Sequence, residues 1–345
     1  MVRGDGPSRL RSPYRRSGGG HGSKLAALDL GTNNCRLLIA SPTRNGLRIV
    51  DAFSRIVRLG EGVSTSGNLS QDAMERTMSA LMVCAKKIHM RGVTHSRCIA
   101  TQACRSAANG EAFLAEVKEK TGLSFEVIEP EEEARLSVAG CNGLIDSAAK
   151  AALIFDIGGG STELSWISRN SDGELKLENW ASMAIGVVNL SEKWGGRKTS
   201  KETYASIVEE ARKEILKVGE PQNIKAIFEA GEAHLLGTSG TVTSIAGVHL
   251  GLSRYQRDLV DGLWLSIADV RQTTETLRAK PYEERKKTPC IGEDRADLVI
   301  AGCAILEALI SLWPVSRVRV ADRGLREGML SDLARIARDE RNSRN

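Results

Sequence analysis

No Cys-x-x-Cys pair occurs among the seven cysteines of this 345-residue chain. An odd, scattered set of thiols argues against a disulfide framework and a zinc site, and predicts a reducing, cytoplasmic setting. The histidines offer no metal signal either. His89, His95, His234 and His249 stand at no ligand spacing, so no histidine-based metal site is expected. A membrane span is also missing: the longest apolar stretch, Leu298 to Val315, contains Glu307 and reads as a buried helix. Before the fold begins near Leu25 there is no apolar segment of the kind a secretory signal needs.

The body of the chain lacks net charge. Residues 1–24 carry Arg3, Arg9, Arg11, Arg15, Arg16 and Lys24 against Asp5 alone, which equals the whole formal charge of +5. Residues 1–23, rich in Gly, Ser and Arg, are expected to be a disordered basic tail, since nothing in them can build a core. Nucleic acid is therefore not expected as a partner of the body, and only the tail carries the charge to attract a polyanion.

What the chain does have is one pattern twice. Leu28-Asp29-Leu30-Gly31-Thr32-Asn33-Asn34-Cys35-Arg36-Leu37 and Phe155-Asp156-Ile157-Gly158-Gly159-Gly160-Ser161-Thr162-Glu163-Leu164 both run an apolar strand into Asp-x-Gly, turn through small polar residues and leave on a second apolar strand. Glycine lets backbone amides approach an anion, and the aspartate can hold a divalent cation or its waters. Two such loops, 127 residues apart, predict a duplicated domain closing on a phosphorylated ligand. An isolated Asp-x-Gly also serves as a plain turn, and for Asp29 that reading stays open.

The element order repeats as well. Strands are predicted at 25–30, 35–40 and 47–57, a helix at 71–90 after Ser70, a strand at 97–101, a helix at 113–120, a strand at 125–128 and a helix at 131–141 behind Pro130. Strands at 152–156, 162–167 and 175–183, a helix at 201–218, a strand at 233–237 and a helix at 241–249 follow. Three antiparallel strands and then helix–strand alternation, twice, is the order of the ribonuclease H-like fold of actin, Hsp70 and sugar kinases. The expected architecture is α/β, with two such domains, 24–148 and 149–324, a cleft between them as active site, and a C-terminal helix at 325–340 packing back on the first domain.

Hydrolysing a phosphoanhydride requires cation charge on the phosphoryl oxygens, donors around them and a positioned water. Asp29, Asp156 and Glu163 are candidate carboxylate ligands for Mg²⁺, with Mn²⁺ as a substitute. The amides of Gly158, Gly159, Gly160 and Ser161 are a candidate anion cradle, opposed by Thr32 and Asn33. Arg105, following a strand, is a candidate bidentate phosphate ligand. Ser239 and Gly240 open a helix and suit phosphate as well as they suit a simple cap. Arg295 with Asp297 reads as a salt-bridged helix start, and Arg323 with Arg326 as a solvated basic face.

Beyond these loops the chain resembles the exopolyphosphatase and guanosine pentaphosphatase (Ppx/GppA) family. The resemblance rests on Arg58-Leu59-Gly60-Glu61-Gly62, Gly67-Asn68-Leu69-Ser70, Ala100-Thr101-Gln102-Ala103-Cys104-Arg105, Glu131-Glu132-Glu133-Ala134-Arg135, Gly186-Val187-Val188-Asn189-Leu190, Gly237-Thr238-Ser239-Gly240-Thr241 and Arg323-Gly324-Leu325-Arg326-Glu327-Gly328, besides the second Asp-x-Gly loop. It implies a Mg²⁺-dependent hydrolase that takes terminal phosphate from inorganic polyphosphate or the 5′ γ-phosphate from guanosine pentaphosphate, with a homodimer compatible. It places the water-activating glutamate at Glu133, with Glu132 the alternative for this register; on residues alone, Glu131–Glu133 reads sooner as a solvated helix start, and the resemblance reverses that. Asn34 and Pro130 depart from the family pattern without removing a carboxylate. Longer members add a helical, HD-like C-terminal part, and its absence here predicts lower processivity. A non-catalytic alarmone or nucleotide sensor and an actin-like kinase are the competing classes; no acceptor-pocket motif supports the kinase.

Overall fold

The structure, a computed structural model, describes residues 23–44 and 46–343. The basic tail expected at 1–23 therefore falls almost entirely outside the described residues.

Two mixed sheets form the frame. The first contains β1 (Leu25–Leu30), β2 (Asn34–Thr43), β3 (Gly46–Ile56), β4 (His95–Ala100) and β5 (Phe125–Val127) in the order β3-β2-β1-β4-β5. The second contains β6 (Ala151–Ile157), β7 (Thr162–Arg169), β8 (Leu175–Met183), β9 (Ala233–Thr238), β10 (Trp264–Ser266) and β11 (Arg317–Val320) in the order β10-β11-β9-β6-β7-β8. Each sheet starts as an antiparallel meander, and each central strand then gains a parallel neighbour, β4 on β1 and β9 on β6. This is the ribonuclease H-like plan twice. β10 is added at the edge of the second sheet, antiparallel to β11.

The apolar pattern explains the layers. Alternate residues of β1 and β2 point to opposite faces, so Ala26, Leu28, Leu37 and Ile39 join one core and Leu25, Ala27, Leu38 and Ala40 another. The Gln71–Arg91 and Gly110–Thr121 helices cover the first face; the Pro130–Cys141 and Leu325–Asn342 helices cover the second. The second sheet is covered on one side by the Val299–Leu312 helix, whose residues are buried almost throughout, as its apolar composition predicts. No helix among the described residues is long and apolar enough to cross a membrane.

The helices on the second face of the first sheet approach backbone to backbone at two glycines. A Cβ on Gly140 would run into the carbonyl of Gly324, and one on Gly328 into the carbonyl of Leu136. Alanine normally stabilises a helix interior by about 1 kcal/mol over glycine. At position 140 the obstacle is backbone, which cannot swing aside, so overpacking should win. Gly140→Ala is expected to destabilise the chain by about 2–3 kcal/mol, seen as a lower urea midpoint. A midpoint at or above wild type would show that the helices can part freely.

Candidate active site

The two Asp-x-Gly turns face each other across a cavity of about 510 Å³. Its lining includes Asp29, Thr32, Asn33, Glu133, Asp156, Gly158, Gly159, Gly160, Ser161, Glu163, Ser239 and Gly240. Every candidate residue from the sequence is thereby gathered in one place except Arg105. Its guanidinium donates to the Ile128 carbonyl (2.6 Å) and to Gln102 Oε1 (2.5 Å), so it braces the wall behind the cavity instead of lining it.

The peptide plane fixes how the second turn presents its amides. The carbonyls of Gly158, Gly159 and Gly160 accept hydrogen bonds from Val187 N (3.0 Å), Val188 N (2.8 Å) and Asn189 Nδ2 (3.1 Å) at the start of the Val187–Trp194 helix. In a trans peptide the next N–H points the opposite way. The amides of Gly159, Gly160 and Ser161 therefore face away from that helix. Gly158 drops out of the cradle, because its own amide donates to the Ser161 carbonyl (2.9 Å). Gly159 and Gly160 pack directly on Thr32 and Asn33, so the two turns touch.

Register makes the two turns chemically different. In each hairpin the residue opposite the aspartate lies seven positions later: Arg36 opposite Asp29, and Glu163 opposite Asp156. Directly opposed residues share a face of the sheet. The first turn thus pairs its acid with a cation, whereas the second sets two carboxylates side by side. Burial pushes Asp29 up to about 6, against the pull of Arg36 and Arg326. Burial, reinforced by Asp156, pushes Glu163 up to about 7, although Ser182 Oγ donates to its Oε1 (2.9 Å). Asp156 is raised by burial too, opposed by a hydrogen bond from Thr238.

Glu133 completes the acid wall from the first turn of the Pro130–Cys141 helix. Burial, then Glu163, Asp29 and Asp156, hold its carboxyl well above the ordinary range. Its neighbour Glu132 is elsewhere. Arg135 (2.6 Å) and Arg97 (2.9 Å) tie Glu132 into a partly exposed ion-pair group, and the Arg135 hydrogen bond keeps its carboxyl below the usual range.

The same cavity also holds a basic wall that only the fold reveals. Arg36, Arg295 and Arg326 all line the cavity, with Arg295 donating to Ser244 Oγ (2.9 Å). Burial depresses both Arg295 and Arg326, and the positive charge of Arg36 adds to the effect on each. Asp29, Glu327 and Asp322 offset part of the repulsion among these three charges, and a bound anion would offset more. Arg326 thus has a different setting from the solvated basic face expected of it. Arg257 and Arg323, by contrast, are neutralised by Glu327 (2.7 Å) and Asp261. Asp297 is also corrected: it pairs with Arg58 of the other lobe, not with Arg295.

Unused polar atoms mark the same cavity. Eight buried side-chain N or O atoms lack a partner among the described residues, and four of them belong to cavity residues: Asn33 Oδ1, Asn34 Oδ1, Glu133 Oε2 and Ser239 Oγ. Such atoms cost about 1–3 kcal/mol each when left unpaired, so their concentration points to a polar ligand. Ser239 adds backbone strain, with φ of 101° immediately before the Gly240–His249 helix.

Known proteins resemble this chain in sequence and fold. A family model described as the Ppx/GppA phosphatase family matches residues 38–336. A curated relative, exopolyphosphatase 2 of Mycobacterium tuberculosis, is 28% identical over 325 residues, covering 90% of this chain and 99% of the relative. Among solved structures, the Aquifex aeolicus member of the Ppx/GppA protein family is similar with a TM-score of 0.73 at 29% identity, over 91% of this chain and 98% of that one. An exopolyphosphatase from Cytophaga hutchinsonii gives a TM-score of 0.80 at 24% identity, over 90% and 97%, and supports the fold.

Proposed function

This chain belongs to the Ppx/GppA phosphatase family, and from that premise we propose that it releases terminal phosphate from inorganic polyphosphate in a Mg²⁺-dependent reaction. The observation carrying this reading is the gathering of four carboxylates, Asp29, Glu133, Asp156 and Glu163, and three arginines in one cavity around amides that have no partner among the described residues. A chain of phosphates satisfies both walls at once. Its terminal phosphate would rest on the amides of Gly159, Gly160 and Ser161, and the following ones would extend towards Ser239 Oγ, Arg295, Arg36 and Arg326.

The acid wall fits Mg²⁺. No group of three His, Cys, Asp or Glu side chains stands at metal-binding spacing among the described residues. Mg²⁺ does not require one, since it commonly takes one or two carboxylates and keeps several waters. Asp156 and Glu163, opposed in the ladder, would hold it, with Asp29 acting through water; Mn²⁺ accepts the same donors. The ion supplies charge that neutralises the phosphoryl oxygens. Glu133, kept basic enough by burial among acids, would take the proton of the attacking water. A base in this position favours catalysis over a purely sensing role.

Guanosine pentaphosphate is the second reading, favoured by one observation. The Tyr255 ring stands at the cavity's lining while 40% exposed, close to the phosphate-facing Arg295 and to Asp322, where a purine can stack. Phosphate release by purified protein from polyphosphates of several lengths, guanosine pentaphosphate and ATP tests both readings. Tyr255→Ala should raise KM for the pentaphosphate about tenfold, as loss of a base stack does, and leave polyphosphate unaffected. An equal change on both substrates would show that the ring does not hold a base.

A further inference from the structure

We propose that Arg58 and Glu192 form a clasp that holds the two lobes closed and sets the spacing of the two phosphate turns. Arg58, in the segment after β3, reaches the second lobe with both nitrogens: Nη1 to Asp297 Oδ2 (2.9 Å), Nη2 to Asp297 Oδ1 (3.0 Å) and to the Asp294 carbonyl (3.1 Å). A few residues on, Gly62 N (2.9 Å) and Ser64 Oγ (3.1 Å) donate to the two carboxylate oxygens of Glu192 on the Val187–Trp194 helix. These are two separate bidentate contacts between segments far apart in the chain.

Both arms of the clasp are tied by backbone hydrogen bonds to the turns. On the first lobe, Val57 N donates to the Asn33 carbonyl and Gly60 N to the Thr32 carbonyl, each at 2.9 Å. On the second, the helix bearing Glu192 begins by donating to Gly158 and Gly159, and Ser191 Oγ binds the Asp297 carbonyl (3.0 Å). Asp294 also precedes Arg295, so the turn gripped by Arg58 carries a member of the basic wall. Closing the clasp therefore brings amide cradle, acids and Arg295 into one arrangement.

Two features argue for a working contact over a passive one. Arg58 holds φ of 49°, a left-handed conformation unusual for a bulky residue and retained where the surroundings demand it. The clasp is also purely polar, and neither side chain is fully buried, Arg58 being 27% and Asp297 19% exposed, so water can reach both partners when the lobes part. The covalent crossings between lobes are different: Cys141, Leu144, Ile154, Leu236 and Ala321 pack there as an apolar cluster.

Arg58→Gly is the sharpest test, because glycine accepts the left-handed backbone and only the guanidinium is lost. Small-angle scattering of the full chain should show a larger maximum dimension for Arg58→Gly and for Glu192→Ala than for wild type. Inorganic tripolyphosphate should restore the compact form. Arg58→Asp combined with Asp297→Arg should return to wild-type dimensions. If the chain hydrolyses polyphosphate as proposed, KM should rise about 3–10-fold in both variants with kcat nearly unchanged, since substrate must then select a less populated closed state. Wild-type scattering from both variants, or a reversed pair no more compact than Arg58→Gly, would overturn the clasp. Expanded variants of a chain that releases no phosphate would leave the clasp standing and remove the hydrolase reading instead.

Discussion

Replacing Glu133 by glutamine is expected to lower kcat by about 10²–10⁴-fold while KM for polyphosphate changes by less than about threefold. The amide keeps the shape of the side chain and cannot accept a proton. It also removes one negative charge from beside Glu163, Asp29 and Asp156, so binding of an anionic substrate should not suffer electrostatically. Glu132→Gln is the control. Its carboxylate serves Arg135 and Arg97 away from the cavity, so its loss should leave turnover close to wild type and lower stability slightly. Steady-state kinetics on the two variants, with melting curves to confirm folding, decide between them. A dead Glu132→Gln beside a normal Glu133→Gln would move the base by one residue.

The two turns of the acid half were legible in the sequence because their pieces are local, whereas the assignment of Glu133 rested on the family resemblance. Asp156 and the glycines after it lie in one hairpin, and alternating apolar residues show where the strands run into the turn. Pro130 marks the start of the helix that presents Glu133. The basic half was not legible in that way. Arg295 and Arg326 come from segments remote from Arg36, and nothing local distinguishes an arginine entering a cleft from one in water. Arg36 did leave a signal: it lies seven residues after Asp29, as Glu163 does after Asp156, and strand register alone puts each opposite its aspartate. Arg105 is a separate case, since its charge still bears on Glu133 and Glu163 from outside the cavity lining. Its position after β4 suits phosphate, yet the short Gln102–Ser106 helix turns its fork onto Gln102 and Ile128. Some missed elements are brief or weakly patterned, but the 13-residue Ile267–Ala279 helix, capped by Ser266, was missed as well. β10 has three residues, and β11 alternates arginine with valine beside that edge strand. The Val187–Trp194 helix starts at Gly186, whose lack of a capping side chain hides the boundary; a Cβ there would strike the Gly159 carbonyl.

Asp156→Asn should abolish most turnover, by about 10²-fold or more, and at the same time raise the melting temperature of the metal-free protein above pH 7. The opposite signs follow from one cause. Burial lifts Asp29 to about 6 and Glu163 to about 7, above the value of about 4 that such groups have in an unfolded chain. Between those limits the folded chain binds more protons than the unfolded one, so metal-free stability falls as pH rises from about 4 to 7. Above that window the acids are ionised and repel one another. Converting Asp156 to an amide removes one of the charges facing Glu163, while Thr238 can still donate to the amide oxygen. The gain should be about 1 kcal/mol, or about 2–4 °C for a domain of this size. Mg²⁺ should stabilise the wild type by binding the same carboxylates, and should stabilise Asp156→Asn much less. Melting curves at pH 8 with Mg²⁺ and with excess chelator measure both effects. A variant that Mg²⁺ still stabilises fully would remove Asp156 from the ligand set, and full wild-type activity in excess chelator would remove the metal from the reaction. Higher metal-free stability joined to lost turnover would instead mark these carboxylates as groups kept together for the cation they hold, because the fold alone is better without their charge.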